Sequence, residues 1–285
     1  MDKSDLAVRM KQYEEVNRRY LTKRMPVIIR IDGKAFHTFC KGFEKPFDYV
    51  LAGAMQDTMK YLCENIQGCV FGYTQSDEIT LILIDYKKIN SGAWFDDCQN
   101  KIESVSASMA TMYFNKSFEY RVLSHHMKFC NKYDREKDRF CKTLADEGKL
   151  MSIYEKVNRS AVFDSRAFNI PKEDVCNNIL WRQQDATRNS VQLAGQANFP
   201  CKELEGKSCA EIQDMLMIQK SINWNDFPTF FKRGSCCIKN YWISDNYNET
   251  QEDTEGAIMK SRWIIDKEIP IFSKNRNYIE SRVFI

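Results

Sequence analysis

The chain has 285 residues, of which 43% are hydrophobic and 28% are charged, and its formal net charge is +3. This balance is typical of a globular protein with one large domain, or a core domain and a smaller appendage, and it allows RNA binding without arguing for it. The 11 cysteines form no CxxC pair and only 3 histidines accompany them, which excludes a zinc module, and no apolar stretch could span a bilayer. The first residues lack the apolar core of a secretory signal, so we expect free thiols in a reducing, cytoplasmic compartment.

Hydrophobic periodicity predicts alternating strands and helices up to residue 171. A charged helix is expected over Asp5–Lys23, followed by the apolar strand Val27–Ile31. The next elements are an amphipathic helix over Leu51–Ile66 ended by Gly68, a hairpin of the strands Cys69–Tyr73 and Ile79–Ile84, a helix marked by Ile102, Val105, Met109 and Met112, and a strand within Ala161–Ile170 that Pro171 stops. This βαββαβ order predicts an α+β fold with a ferredoxin-type antiparallel sheet and flanking helices.

Two segments interrupt this plan. Charges of both signs crowd residues 128–149, which predicts an exposed insertion of about residues 120–160, and residues 245–255 are predicted to form an acidic loop. The second half adds a long helix over Lys172–Asn198 and a further strand around Arg262–Ile265. We therefore expect a first domain of residues 1–171 and a smaller, helical C-terminal region of residues 172–285.

Carboxylates stand at the ends of two predicted strands. Asp32 follows Val27–Ile31, and Ser76, Asp77 and Glu78 fill the turn of the hairpin. A charge at the end of a buried strand is costly unless it is compensated, and the βαββαβ order brings the first strand beside the hairpin. Asp32 and Asp77 could therefore hold magnesium, which prefers oxygen ligands, and two such ions could clamp a phosphoryl transfer. The plainer alternative is that backbone amides cap each acid separately.

The segment that follows the first strand suits a phosphate group. Asp32–His37 turns into a helix, where backbone N–H groups point at anions, and Lys45 and Ser76 could add a positive charge and a hydroxyl. His37 by itself is more typical of a hydrogen-bonded structural histidine. Each of these signals is weak when taken singly.

Four motifs, in order, resemble those of the tRNA-histidine guanylyltransferase family. PVIIRIDGKAFHTF (26–39) is similar to its first motif, and GYTQSDEITLIL (72–83) to its second. FDSRAFNIP (163–171) resembles its FD-x-R strand, and WRQQDATRNS (181–190) its WRQ-x-D helix. The resemblance covers about residues 26–239. It implies a palm-like catalytic domain that adds nucleotides to the 5′ end of tRNA in the 3′–5′ direction, after ATP or GTP has activated a 5′-monophosphate.

The resemblance also implies roles for single residues. Asp32 and Asp77 would hold two magnesium ions with the carbonyl of Gly33, and Glu78 would be the third catalytic acid. With ATP, GTP and other nucleoside triphosphates as substrates, the implied nucleotide contacts are Asp32, Gly33, Lys34, Ala35, Phe36, His37, Lys45, Ser76, Asp77 and Lys101. Family members are commonly homotetramers, so residues 172–285 are expected to contact tRNA and to serve oligomerisation.

The chain departs from the family's pattern in three places. After the WRQ-x-D motif, enzymes that guanylylate histidine tRNA carry His-Ile-Asn-Asn, whereas residues 187–190 are Thr-Arg-Asn-Ser. This stretch resembles that of the bacterial and archaeal guanylyltransferase-like proteins, which extend truncated tRNAs against a template. Template-dependent tRNA repair is therefore favoured, with guanylylation of histidine tRNA as the alternative. The other departures are the acidic pair Asp96-Asp97 before Lys101 and the long charged insertion.

The second half offers candidate tRNA contacts, which are Arg182, Arg188, Asn189, Lys232 and Arg233. Helical spacing puts Arg182, Asp185 and Asn189 on one face, for which a solvated face with local ion pairs is the alternative interpretation. Two other functions stay open. A nucleotide cyclase would use similar paired aspartates, although the chain has no Gly-Gly-acid hairpin, and a non-catalytic RNA-binding relative would not need all three acids.

Overall fold

The computed structural model describes residues 4–135, 141–243 and 259–284. The strands are β1 (Val27–Gly33), β2 (Cys69–Gln75), β3 (Glu78–Leu83), β4 (Phe163–Asn169), β5 (Ser235–Ile243) and β6 (Met259–Asp266). They form one sheet in the order β4-β1-β3-β2-β5-β6, and every neighbouring pair is antiparallel. The first four strands have the order of a βαββαβ unit, so the predicted α+β, ferredoxin-type fold is confirmed.

Helices cover both faces of this sheet. The α-helices of the described residues are α1 (Asp5–Glu15), α2 (Phe36–Phe39), α3 (Tyr49–Asn65), α4 (Gln99–Arg135), α5 (Cys141–Val157), α6 (Val175–Asn198), α7 (Cys201–Leu204), α8 (Cys209–Lys220), α9 (Thr229–Arg233) and α10 (Asn277–Val283). Asp48 begins α3 as its N-cap, because its carboxylate accepts a hydrogen bond from the Leu51 N–H at 2.8 Å. Across the described ranges, no helix combines the length and the apolar character that crossing a membrane would require.

Strand alternation separates two cores. Ile29 and Ile31 of β1 belong to the core beneath α3 and α4, whereas Ile28 belongs to the core beneath α6 and α10. Arg30 and Asp32 follow Ile28 at steps of two residues, so the alternation puts both on the α6 face. The acid at the end of β1 is therefore on the same side of the sheet as the WRQ-x-D helix.

The C-terminal region completes the same sheet. β5 pairs with β2 through Ser235–Cys237 and Gly72–Thr74, and β6 pairs with β5. Gly234 precedes β5 with a φ of +83°, and a Cβ at this position would lie 2.5 Å from the Thr74 carbonyl oxygen, so glycine is required there. The strand predicted around Arg262–Ile265 is confirmed as part of β6. The sequence analysis missed β5, which joins residues after 171 to the sheet, and the division of the chain at residue 171 stays a prediction.

The predicted charged insertion is largely the pair α4 and α5. Tyr154 of α5 is fully buried, and its hydroxyl donates to Asp48 Oδ2 at 2.7 Å. Its ring lies 5.0 Å from that of Phe43 and 5.7 Å from that of Phe118. One face of α5 therefore covers an aromatic cluster, whereas Asp146, Lys149 and Lys156 on the same helix are exposed, so the expectation of an exposed insertion holds for only part of α5. Residues 136–140 and the predicted loop of residues 245–255 lie outside the described residues.

Asp97 is the buried member of the acidic pair that precedes α4. The residue is only 3% exposed, and its Oδ2 atom has no hydrogen-bond partner among the described residues. Burial, together with the negative charge of Asp85, raises the pKa of Asp97 from 3.8 to about 6. Asp96, by contrast, is exposed and accepts a hydrogen bond from Lys23 Nζ at 2.6 Å.

Asp97→Asn should remove a pH-dependent part of the stability. Between about pH 6 and the ordinary aspartate pKa of 3.8, the folded chain binds a proton at Asp97 that the unfolded chain does not. The contribution of Asp97 to the free energy of unfolding therefore rises as the pH falls through this window, and the ionised form destabilises the fold at neutral pH. Thermal unfolding across the window should show the variant more stable than the parent at neutral pH, with the advantage shrinking in acid. Asp96→Asn is the control, and an equal advantage at every pH would contradict the prediction.

Candidate active site

Three strands bring acidic residues into one row of the sheet. Asp32 of β1 pairs with Glu78 of β3 on one side and with Asp164 of β4 on the other. Asp77 stands in the turn between β2 and β3, and its carbonyl oxygen accepts a hydrogen bond from the Gly33 N–H at 3.0 Å. The fold therefore brings together the backbone segments that carry Asp32 and Asp77, as the sequence analysis expected.

The β2–β3 turn shapes the surroundings of the Asp77 carboxylate. Ser76 has a φ of +49°, and its hydroxyl donates to Asp77 Oδ1 at 2.9 Å. Burial raises the pKa of the Asp77 carboxyl and the negative charge of Asp32 raises it further, whereas the Ser76 hydrogen bond acts in the opposite direction. The negative charge of Asp32 therefore disfavours the ionised form of Asp77.

The donors at this edge suit magnesium. No three His, Cys, Asp or Glu side chains are placed to hold a metal together in the part of the chain that the structure describes. Magnesium keeps several of its waters, however, so two carboxylates and one carbonyl are a sufficient set of protein ligands. A cation would also relieve the repulsion between the two aspartates. The donor chemistry is therefore compatible with magnesium, and the assignment of Asp32, Gly33 and Asp77 as its ligands stays a prediction.

Glu78 is held differently from the other two acids. Its carboxylate is buried, with Oε2 accepting a hydrogen bond from Arg30 Nε at 2.8 Å and Oε1 lying 3.1 Å from Arg182 Nε. Arg182 also pairs with Asp185, which in turn pairs with Arg188. Burial raises the pKa of Glu78 even though the two guanidinium groups act to lower it. Glu78 therefore ties the β2–β3 turn to α6, and its predicted role as a catalytic acid stays a prediction.

A cleft of about 380 Å³ opens beside Asp77. Its walls are α2 with the loop that leads to α3, the β2–β3 turn, α6 and α9. Its lining includes an aromatic wall, in which the rings of Phe47 and Phe231 are stacked at 4.8 Å, and the apolar Leu193. His37, Lys45 and Asp77 also line the cleft. The cleft thus combines aromatic, cationic and acidic groups.

Several predicted nucleotide contacts lie in this cleft, namely Phe36, His37, Lys45, Ser76 and Asp77. A Cβ at Gly33 would lie 2.3 Å from the Phe36 ring, so glycine lets the chain turn closely over that ring. Lys34 and Ala35 are exposed in the same turn but are not among the lining residues. Nε2 of His37 lies 3.0 Å from Thr38 Oγ1, in agreement with the interpretation of a hydrogen-bonded histidine.

Lys101 lies apart from the other predicted nucleotide contacts. It is in the first turn of α4, where the neighbouring Gln99 Nε2 donates to the Ala167 carbonyl at 3.0 Å. Ala167 pairs with Ile29, which precedes Asp32 by three residues on β1. Because a strand rises about 3.3 Å per residue, this end of α4 lies about 10 Å from Asp32 along the strand direction. The contact between Lys101 and a triphosphate stays a prediction.

The predicted tRNA contacts differ in burial. Arg182 is 4% exposed and Lys232 is 7% exposed, with Lys232 Nζ donating to the Asn225 carbonyl. Neither cation can reach a nucleic-acid backbone without leaving its partners, so the structure corrects the expectation for these two residues. Burial also lowers the pKa of Lys232. The other three residues stay predictions: Arg188 and Asn189 are exposed on α6, and the partly exposed Arg233 lies 5.8 Å from the Trp224 ring.

The sequence analysis missed residues that shape the site. Arg30 interrupts an apolar strand two residues before Asp32, and this alternation could have identified it as a partner for an acid. Asp48 stands just before a helix, which is the signal of an N-cap. The aromatic wall that Phe231 forms had no comparable local signal, because its position depends on the packing of α9.

The chain is similar to known proteins in both sequence and fold. A family model described as tRNAHis guanylyltransferase matches residues 7–171. A bacterial tRNA(His) guanylyltransferase-like protein in complex with ATP is 40% identical, with a TM-score of 0.76 over 98% of this chain and 99% of that chain. One in complex with GTP is 37% identical, with a TM-score of 0.72 over 99% of this chain and 100% of that chain. The tRNA(His) guanylyltransferase of Schizosaccharomyces pombe is 24% identical over 97% of this chain and 95% of that protein. The family match covers more than half of the chain and includes Asp32, Asp77 and Glu78, and the chain therefore belongs to the tRNAHis guanylyltransferase family.

Proposed function

We propose that the protein is a nucleotidyltransferase that adds nucleotides to the 5′ end of tRNA in the 3′–5′ direction, and that it repairs truncated tRNAs against a template. The observation that carries the proposal is Asp77, which lines a cleft of about 380 Å³ and whose backbone carbonyl accepts a hydrogen bond from Gly33, the residue after Asp32. Membership of the family supports it, as do the bacterial like-proteins that are described in complex with ATP and GTP.

The cleft suits a nucleoside triphosphate. A base can stack on an aromatic face irrespective of its identity, and Phe47 and Phe231 offer such faces in the cleft. Lys45 and Ser76 also line the cleft, and a cation and a hydroxyl would bind phosphate oxygens. We infer that the base lies against the aromatic wall and that the phosphates point towards Asp77.

The proposed reaction consists of two phosphoryl transfers. In the first, an oxygen of the tRNA 5′-monophosphate attacks the α-phosphorus of ATP or GTP, and pyrophosphate leaves. In the second, the 3′-hydroxyl of the incoming nucleotide attacks the 5′ phosphorus of the tRNA, the nucleoside monophosphate leaves, and the hydroxyl proton passes to water. Both steps place negative charge on non-bridging oxygens, so positioning and cations lower the barrier.

Two magnesium ions, held by Asp32, Asp77 and the Gly33 carbonyl, would neutralise part of that charge when bound. Lys45 would offset the charge of the triphosphate from the cleft wall. Glu78, bound to Arg30 and Arg182, would hold the turn so that Asp77 keeps its orientation. The chain's own contribution is therefore to orient the reacting groups.

Guanylylation of histidine tRNA is the second candidate function. Residues 187–190 lack the His-Ile-Asn-Asn sequence, and the bacterial like-proteins are 40% and 37% identical to the chain, against 24% for the Schizosaccharomyces pombe enzyme. Both observations favour repair.

A homotetramer also stays a prediction. None of the residues of α1 is buried, so this helix offers a surface on which another subunit could pack.

The test is a 5′-labelled tRNA that lacks its first nucleotide, incubated with ATP, the nucleoside triphosphates and magnesium. We expect extension by the nucleotide that is complementary to the unpaired template base, and a changed template base should change the nucleotide added. Full-length unmodified histidine tRNA is the comparison substrate. Faster addition of an untemplated guanosine to that tRNA would favour the second candidate. A folded protein that extends neither substrate would refute both.

A further inference from the structure

A second cleft lies between β2 and β5, at the end of the sheet remote from Asp77. The two strands pair only through Gly72–Thr74 and Ser235–Cys237, although β2 begins at Cys69 and β5 continues to Ile243 along β6. Beyond the last pair the strands diverge and leave an opening of about 290 Å³. Because a strand rises about 3.3 Å per residue, Val70 in this cleft is roughly 20 Å from Asp77.

Positive charge dominates this cleft. Lys87, Lys239 and Arg282 line it, and no aspartate or glutamate does so within the described residues. None of these three cations forms an ion pair with an acid in the part of the chain that the structure describes. The net charge of the whole chain is only +3, so an acid-free group of three cations is a local feature.

Two of the cations are positioned by aromatic rings. The Arg282 guanidinium lies 4.1 Å from the centre of the Tyr278 ring, and its Nη1 donates to the Tyr278 carbonyl at 2.5 Å. Lys239 Nζ lies 5.1 Å from the centre of the Trp263 ring. A guanidinium that is stacked in this way keeps donors free for an anion and loses less entropy when it binds one. The cleft is therefore partly organised before any ligand arrives.

An aromatic residue and polar groups accompany the cations. Tyr241 follows Lys239 by two residues on β5, so both are on the same face of the strand, and the tyrosine is 47% exposed. Gln67 and Ser91 complete the polar lining. Cations that track a phosphate backbone beside an aromatic ring on which a base can stack are the combination found in single-stranded nucleic-acid sites.

We infer that this cleft binds a backbone phosphate of the RNA substrate, with Lys87, Lys239 and Arg282 supplying the positive charge that attracts the phosphate and Tyr241 offering a ring to the adjoining base or ribose. This inference rests on the proposed action on tRNA. From the strand rise, the proposed phosphate contact lies about 20 Å from the catalytic acids. At this distance it helps to hold the RNA while the 5′ end reacts. A free nucleotide has the same phosphate chemistry, so the experiment must distinguish the two sources.

The test compares two doubly substituted proteins. Lys87→Glu/Lys239→Glu reverses two exposed charges in the cleft, and Lys116→Glu/Lys156→Glu makes the same change in net charge at exposed positions of α4 and α5. Binding of unmodified tRNA is measured at several salt concentrations, and ATP binding is measured in parallel. The cleft variant should bind tRNA at least about tenfold more weakly, and its plot of log affinity against log salt should be shallower by about one unit for each lost phosphate contact. The control should behave like the parent.

The steady-state constants distinguish a loss of tRNA binding at this cleft from a loss of catalysis. The KM for truncated tRNA should rise in the cleft variant, while kcat and the KM for ATP stay unchanged, because the catalytic cleft is untouched. Lys87→Arg/Lys239→Arg should retain tRNA binding. Unchanged tRNA binding in the cleft variant would overturn the inference, as would weakened ATP binding with normal tRNA binding. The binding measurement needs no turnover, so it decides the inference even if the protein extends no tRNA.

Discussion

Asp77→Asn should lower the rate of nucleotide addition by at least about a thousandfold, because the neutral amide removes a charge on which the phosphoryl-transfer site depends. The side chain is nearly isosteric, and the Gly33 N–H bonds to the backbone carbonyl of residue 77, which the substitution keeps. The burial that raises the pKa of the Asp77 carboxyl makes the neutral amide easier to accommodate, so the fold should be retained. Single-turnover extension of 5′-labelled truncated tRNA measures the effect.

Asp32→Asn should have an effect of similar size, and the double variant should be little worse than either single one, because residues that act as a unit are not additive. Asp214→Asn makes the same chemical change at an exposed position of α8 and should leave the rate unchanged. Circular dichroism and thermal unfolding would confirm that each variant is folded. Near-normal extension by folded Asp77→Asn would refute the assignment of this sheet edge as the active site.

Arg182→Leu should destabilise the protein by about 3–5 kcal/mol, the usual result of breaking a buried ion pair by removing one partner. The change leaves the Glu78 carboxylate buried with only Arg30 as a charged partner and removes a buried partner of Asp185. Urea denaturation at neutral pH gives the free energy of unfolding. The loss should be smaller in mild acid, because the pKa of Glu78, already raised by burial, rises further without Arg182 and the carboxyl becomes protonated.

Arg188→Leu is the matched control for this prediction. Arg188 also pairs with Asp185, but its side chain is 65% exposed, so its loss should cost less than about 1 kcal/mol. Glu78→Gln in the Arg182→Leu background should recover part of the stability, since it removes a buried charge that has lost one of its two guanidinium partners. Equal losses in Arg182→Leu and Arg188→Leu would mean that burial of the Glu78 pair is not what stabilises this region.

Local sequence patterns were sufficient to predict the first four strands and the adjoining positions of Asp32 and Asp77. The run Val27–Ile31 and the hairpin around Ser76 and Asp77 carry their signals within a few residues, and the βαββαβ order then brings Asp32 beside Asp77. β5 could not be found in this way. Its place is set by pairing with β2, which lies more than a hundred and fifty residues earlier in the chain, and nothing in Ser235–Ile243 records that partner.

The charged residues of the second half show that the burial of a side chain could not be predicted from the sequence. Helical spacing shows that Arg182 shares a face with Asp185, but the same spacing would fit a solvated face. Only the packing of α6 on the sheet reveals that Arg182 is buried against Glu78. Lys232 is a similar case, because a lysine at the end of a short helix is normally exposed. Burial of a charge is a property of the tertiary structure, which a single sequence does not record.

The joining of β5 to β2 has a consequence for biosynthesis. A ribosome releases the N-terminal strands first, so β2 must wait for residues 235–237 before its outer edge is paired. Until then the nascent chain exposes unpaired N–H and C=O groups of a strand that contains Phe71 and Tyr73, which is a template for aggregation with other chains. By pairing with β2, β5 therefore also protects the protein against misassembly during translation.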